Sequence, residues 1–214
     1  MSAILKNGLF QLLLAALLLV STHASYAASV WKVTKDGRHF YLAGTVHLLS
    51  SNDYPLPSAY QAAYQDSQQL IFETDLQQLT SQTGITELIA RNAYPQGESL
   101  QQALSAEVYQ QLISHINTMQ LPPETVTRFR PAFAAMMLVN LELSKLGAAD
   151  EGVDMHFLQQ AIKDNKSFSG LESVNAHLNI LDEMNKLDAN LIITSTLQDI
   201  HKLDTQMADM KKAW

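Results

Sequence analysis

The chain has 214 residues, a formal net charge of −7 at pH 7 and no cysteine. That length suits one domain of ordinary size, and the lack of cysteine excludes disulfides, thiolate metal sites, a cysteine nucleophile and lipoprotein anchoring. An acidic chain with no basic run has no electrostatic footprint for nucleic acid and is repelled by anionic membrane surfaces.

Residues 1–27 carry the three-part pattern of a secretory leader. Lys6 is the only charge, Leu9 to Val20 is an apolar core, and Ser25-Tyr26-Ala27 supplies small residues for cleavage after Ala27. The core is shorter than the about 20 residues a bilayer span needs, so a cleaved signal peptide is expected in preference to an uncleaved anchor. Export to a periplasm or beyond follows. Removing the leader takes away one cation and no acid. Residues 28–214 then form the mature domain, in which no segment is long and apolar enough to cross a membrane.

Ser29 to Thr34 alternates apolar and polar residues, Asp36-Gly37 intervenes, and His39 to Ala43 resumes as an apolar strand, which predicts a β-hairpin. Ala43-Gly44-Thr45-Val46-His47 follows, and Leu48 to Pro57 reads as a loop. A short helix over Ser58–Ser67 leads into a strand over Gln69–Thr74. Helices are expected over Thr83–Ala90 and after Ser105, the latter with a stripe of Val108, Leu112, Ile113, Ile116 and Met119. Pro122-Pro123 begins the next helix, which carries Val126, Phe129, Phe133, Met136, Met137 and Leu141 to Gly147. Gly152–Asp164 is amphipathic, Ser167–Leu171 reads as a short strand, and Ser173 caps a helix bearing Val174, Leu178, Leu181 and Met184. Ala189–Trp214 is one long helical pattern, and the chain stops inside it with no turn residue, which reads as an interruption.

The chemistry-bearing residues cluster around two strand ends. Gly44 permits close backbone approach just before His47. His47 is either a strand-end histidine bonded to backbone or water, or a metal or acid–base group. Glu73 emerges from the apolar run Leu70-Ile71-Phe72. It shares a face with Ile71 and Asp75, and it either ends the strand in water or is paired, coordinated or protonated. Arg128 and Arg130 flank Phe129 at a helix start, where the dipole disfavours cations. Either they face a carboxylate or anion, or they snorkel at the surface. Asp154 and His156 stand two apart on a helix and so on opposite sides. Asp154 is assigned as a helix-start carboxylate and His156 as a surface or structural residue. Glu172 sits at a strand-to-helix junction, serving the next helix or lining a site. No phosphate-cradling glycine loop, His-Glu-X-X-His, nucleophile elbow or dinucleotide fingerprint is present.

With these residues in order, the chain resembles the TraB/GumN (Tiki-like) family. The matching stretches are the opening hairpin, Gly44-Thr45-Val46-His47, Phe72-Glu73-Thr74-Asp75-Leu76, Arg128-Phe129-Arg130-Pro131, Gly152-Val153-Asp154-Met155-His156-Phe157 and Gly170-Leu171-Glu172-Ser173. The resemblance implies a mixed α/β (α+β), helix-rich fold with an EreA/ChaN-like or TraB-type core, a small sheet opened by the hairpin, and helices packed around it. It also implies a secreted or membrane-associated protein whose animal relatives are metal-dependent proteases. On that pattern His47 and Glu73 would be metal ligands or catalytic groups, and Arg130, or Arg128, would hold a carboxylate or oxyanion. Gly44, Asp75 and Glu172 would support them. The ion would be Mn, Co or Zn, and the substrate a peptide or small molecule.

The family's second Gly-X-X-His has no counterpart after His47. Residues 28–214 are therefore expected to form a C-terminally incomplete TraB/GumN-like domain, with a partner supplying the missing segment. The alternative to a hydrolase is a non-catalytic periplasmic module that binds or inhibits a peptide, as in pheromone shutdown.

Overall fold

The computed structural model describes residues 29–148 and 150–214, and the leader expected over residues 1–27 lies outside them. The hairpin forms as expected. Strand β1 (Val30–Lys35) pairs antiparallel with β2 (Arg38–Ala43), Trp31 facing Leu42 and Val33 facing Phe40. Asp36 and Gly37 both adopt positive φ, 49° and 75°. That primed turn matches the twist of the flanking strands, and glycine and aspartate tolerate it. One oxygen of Asp66, Oδ2, accepts hydrogen bonds from Tyr41 (2.6 Å) and Lys32 (3.1 Å) and bonds His39 Nε2 at 2.9 Å. Those bonds tie the hairpin to helix α1 (Ser58–Asp66).

The stretch expected to be a loop contains a two-residue strand, β3 (Leu48–Leu49), and a 3-10 turn over Ser51–Asp53. Strand β4 (Gln69–Thr74) has the expected bounds, followed by the short helix α2 (Leu76–Leu79) and α3 (Gln82–Asn92). Helix α4 (Leu100–Ala103) precedes α5 (Ala106–Thr118), whose cap Ser105 accepts a hydrogen bond from the Val108 amide. Leu112 and Ile116 of α5 are fully buried, each stabilising the fold by about 1.5–3 kcal/mol through apolar burial.

The single helix expected after Pro122-Pro123 is two. A short α6 (Glu124–Thr127) ends before Arg128, and α7 (Pro131–Lys145) starts at Pro131. Proline at the first helical position holds the preceding residue extended, and Arg130 has φ −64° and ψ 157°. The extended turn is used: Phe129 bridges Ala93, the Arg130 amide donates to Asn92 O at 2.8 Å, and Tyr94 N donates to Arg128 O at 2.9 Å.

Strand β5 (Asp150–Glu151) pairs antiparallel with β3, helix α8 (Val153–Asp164) follows, and β6 (Ser167–Glu172) lies parallel to β4. Helix α9 (Val174–Met184) has Ser173 as its side-chain cap. The last helical pattern also divides, into α10 (Ala189–Ile200) and α11 (Leu203–Ala213), with the turn at His201-Lys202. Neither glycine nor proline stands there, and nothing in the local sequence explains the break.

The result is a helix-rich α+β fold whose strands form three two-stranded pairings among the described residues. Two apolar clusters hold it. The larger gathers Leu100, Leu112, Ile116, Val126, Phe133, Leu138 and Ile193 from α4, α5, α6, α7 and α10. The smaller gathers Val46, Leu49, Tyr60, Tyr64, Val153 and Phe157 from β3 with its approach, α1 and α8. The candidate residues around His47 sit on the smaller one. Among the described residues no helix is long and apolar enough to cross a membrane.

Candidate functional site

His47 lies between β2 and β3, and three successive residues of the Gly152-Val153-Asp154 stretch fix it. A Cβ on Gly152 would stand 2.1 Å from Val46 O and 2.3 Å from the carbonyl carbon and oxygen of His47. Only glycine lets the two backbones pass that closely. Val153, 1% exposed, donates its amide to Val46 O at 3.0 Å. Asp154 then places Oδ2 2.8 Å from His47 Nδ1.

The two partners differ in burial. Asp154 is 8% exposed, while the His47 side chain is 73% exposed. A carboxylate in the first turn of α8 is favoured by the helix dipole. The hydrogen bond to Asp154 holds the His47 imidazole above its ordinary pKa against an opposing effect of burial, and the charges of Asp154 and Glu73 raise it further. With Nδ1 engaged, Nε2 has no protein partner among the described residues.

Glu73 is at the carboxyl end of β4. Its face of the strand is open rather than buried: Ile71 is 59% exposed and Glu73 is exposed, while Phe72 and Thr74 on the other face are buried. The apolar run therefore does not bury the carboxylate, which stands exposed at the strand end. Glu73, Thr45 and Asp154 line a cavity of about 310 Å³ whose other walls include Tyr60, Leu70 and Phe157. Gly44 lies between two lining residues, Ala43 and Thr45. Its amide donates to Ser29 O at 2.7 Å, its carbonyl accepts from the Tyr60 hydroxyl, and a Cβ there would stand 3.0 Å from the Ser29 Cβ. Trp214 packs against Tyr60 in a tilted arrangement, ring centroids 5.5 Å apart, and donates Nε1 to its hydroxyl. Burial pushes the Tyr60 pKa up.

The remaining sequence candidates lie elsewhere. Asp75 caps α2, its Oδ1 accepting from the Gln78 amide at 2.9 Å. Glu172 pairs with Thr74, so strand alternation turns its side chain to the face opposite Glu73. Arg128 lies over the Phe129 ring at 4.8 Å, and Arg130 lies 6.0 Å from the Tyr94 ring centroid. The charge of Arg130 helps lower the pKa of Asp182, which is held down first by its hydrogen bond with Arg91. Neither Arg128 nor Arg130 lines the cavity. His156 packs on Tyr54 and Phe157, the structural role expected of it.

Asp154 is the residue that sequence reasoning placed incompletely. It does stand at a helix start, but its partner is His47, in a different motif. A partial signal was available: a glycine opening a helix marks a close backbone approach, and Asp154 stands two residues beyond it. An imidazole held by a buried carboxylate through Nδ1, with Nε2 outward, is a tautomer-fixed group able to accept a proton or bind a metal. Among the described residues no group of three His, Asp or Glu side chains is gathered tightly enough to hold a metal ion.

A helix-rich α+β fold bearing a carboxylate-backed histidine beside an acidic strand end defines the class of protein. The sequence matches the TraB/PrgY/gumN family over residues 29–214, and the chain belongs to that family. Over 145 residues it is 30% identical to the uncharacterised protein YbaP of Escherichia coli K12, covering 67% of this chain and 52% of that protein, and 29% identical to YbaP of Shigella flexneri. It is 25% identical over 195 residues to metalloprotease TIKI1 of Xenopus tropicalis, covering 78% of this chain and 37% of that protein. The chain thus spans about half the length of the YbaP proteins it matches. No solved structure matches it.

Proposed function

We propose that this chain carries part of the active site of an exported, metal-dependent hydrolase acting on peptide bonds. The observation that carries the proposal is the 2.8 Å bond between buried Asp154 and exposed His47. A carboxylate behind Nδ1 is the usual support of a metal-ligating imidazole, because it fixes the tautomer and makes Nε2 a better donor. The relative named a metalloprotease supports the same reaction class.

The donor set fits a metal in part. His47 Nε2 and Glu73 would hold the ion, as two of the three protein ligands a catalytic site commonly uses. Mn, Co and Zn all accept imidazole and carboxylate donors. The ion would supply Lewis-acid polarisation of a substrate carbonyl. The chain's own residues do the positioning: Gly152 and Val153 set the backbone of His47, and Asp154 sets its ring. Nearby Glu73 is open to solvent and able to take a proton. Arg130 or Arg128 would steady a substrate carboxylate only if that substrate reaches beyond the cavity. The leader and export belong to the same proposal.

Calorimetric titration of Mn²⁺, Co²⁺ and Zn²⁺ into the wild type, His47→Ala and Glu73→Ala tests it. Binding should vanish in both variants, and Asp154→Asn should weaken it about 10–100-fold. Binding that is absent from the wild type, or indifferent to both alanine substitutions, rejects the metal assignment.

A further inference from the structure

Helix α11 and its cap residue Trp214 turn Leu203, Met207, Lys211 and Trp214 to one side, at spacings of four, four and three residues. Each of the four is half-buried, and no residue of the helix is buried. Leu203 packs against the larger apolar cluster and Trp214 against the smaller, so α11 is a strap between the two and part of neither core. A lysine on the inward stripe of such a helix needs a partner there. Lys212, one place on, is exposed.

The partner is Asp53. Lys211 Nζ stands 2.5 Å from Asp53 Oδ2, the two side chains being 29% and 17% exposed. The same carboxylate oxygen accepts from the Ser50 amide at 2.7 Å and from the Ser50 hydroxyl at 2.8 Å. Burial opposes the charge of Asp53, but these bonds outweigh it and hold its pKa below the ordinary carboxylate value. Three residues beyond Lys211, Trp214 donates Nε1 to the Tyr60 hydroxyl and reaches Gly44 O at 3.4 Å, the carbonyl to which Tyr60 itself donates. Gly44 stands three residues before His47 and Asp53 six after it. The end of α11 thus grips both flanks of the segment that carries His47, while Asp154 holds the ring from the start of α8.

We propose that the end of α11 is a latch for the His47 segment, with Lys211 and Trp214 as positioning residues that act through Asp53 and through Tyr60 with Gly44. Release frees the backbone of residues 44–53 at both ends, and Asp154 loses the imidazole without being altered itself. A helix with no buried residue, held at its end by a few polar contacts, opens at lower cost than either apolar cluster. His47 as the working group comes from the function proposed above, on which the latch rests for its purpose.

Amide hydrogen exchange on the metal-free chain tests it. The Gly44 amide donates to Ser29 O and the Val153 amide to Val46 O, so these two report how the segment is seated, while the amides of Leu112 and Ile116 report the larger core. In Trp214→Leu and in Lys211→Met, Gly44 and Val153 should exchange about tenfold faster relative to Leu112 and Ile116. Lys211→Arg, which keeps the ion pair, should restore most of the protection. At about pH 9, where the neutral imidazole is populated, the ring ¹⁵N shifts of His47 should show its proton on Nδ1 in the wild type and moved toward Nε2 in both variants. Equal acceleration at all four amides, or no acceleration at Gly44 and Val153 with the ring proton still on Nδ1, overturns the latch. Should Trp214→Leu not fold, Lys211→Met decides alone, since a partly exposed ion pair contributes little to global stability. Neither measurement contains metal, so failure of the metal assignment and failure of the latch are separate results.

Discussion

Asp154→Asn separates an oriented imidazole from an incidental contact. The pair spans 2.8 Å, with one partner 8% exposed and the other's side chain 73% exposed. Hydrogen bonds to charged groups contribute about 1.5–3 kcal/mol, and exposed ion pairs only about 0.2–1 kcal/mol. With the imidazole largely in water, about 1 kcal/mol is the expected loss. The sign with pH follows from the raised pKa of His47. A group whose folded pKa lies above its unfolded value contributes fully below the unfolded value, near 6.5, and loses that contribution as pH rises through the folded one. The stability difference between wild type and Asp154→Asn should therefore be larger at about pH 5.5 than at about pH 8.5. Asp154 also favours the start of α8, but that share is the same at both pH values, so the difference between them isolates the imidazole. Urea unfolding at the two pH values and NMR titration of the His47 ring are the assays. The His47 midpoint should fall toward the ordinary imidazole value in the variant. An unchanged midpoint, or a stability difference that grows with pH, refutes the reasoning.

Gly152→Ala should destabilise by about 3 kcal/mol or more, since its Cβ would meet backbone at 2.1 and 2.3 Å and backbone cannot rotate away. A loss under about 0.5 kcal/mol in urea unfolding would contradict the close approach. Leu112→Ala, at a site with no exposure, should remove about 2–5 kcal/mol, against less than about 1 kcal/mol for Leu42→Ala at 54% exposure. Asp66 is held down to about 2, first by the Tyr41 hydroxyl and then by Lys32 and His39. A depressed carboxyl contributes above its unfolded pKa and loses the contribution as pH falls through the folded one. The stability gap between wild type and Asp66→Asn should thus persist at neutral pH and close as pH drops from about 4 to 2, and a gap that widens instead would deny that network.

The legible parts of the fold were those with short-range causes. Asp36-Gly37 set the hairpin, Ser105 and Ser173 set two helix starts, and Gln69–Thr74 read as a strand from its composition alone. Pro131 was equally visible, yet the apolar series Val126, Phe129, Phe133 continued across it and masked the break. The turn at His201-Lys202 carried no residue that announces it. At the candidate site, His47 and Glu73 were found as two strand ends, and the structure leaves them electrostatically coupled. Asp154 escaped because its partner lies 107 positions away and is brought in by strands of only two residues.

The two glycine motifs work as one device. Gly44 packs the loop against Ser29 and receives the Tyr60 hydroxyl, which fixes where the backbone of residues 44–47 starts. Gly152 lets the start of α8 lie against the far end of that backbone, and Val153 locks the pair through Val46 O. Only then does Asp154 reach Nδ1. A histidine retained for packing would hide its ring and satisfy both nitrogens internally. Here the ring is in water and the group behind it is buried, so a desolvated carboxylate, unfavourable by itself, is used to aim an exposed imidazole. Holding a ring to one tautomer and one direction has little value for stability when the ring touches so little of the core. It has value for the ligand role proposed above for His47, in which a donor atom must meet its partner at a fixed place with its support carried on the buried start of a helix.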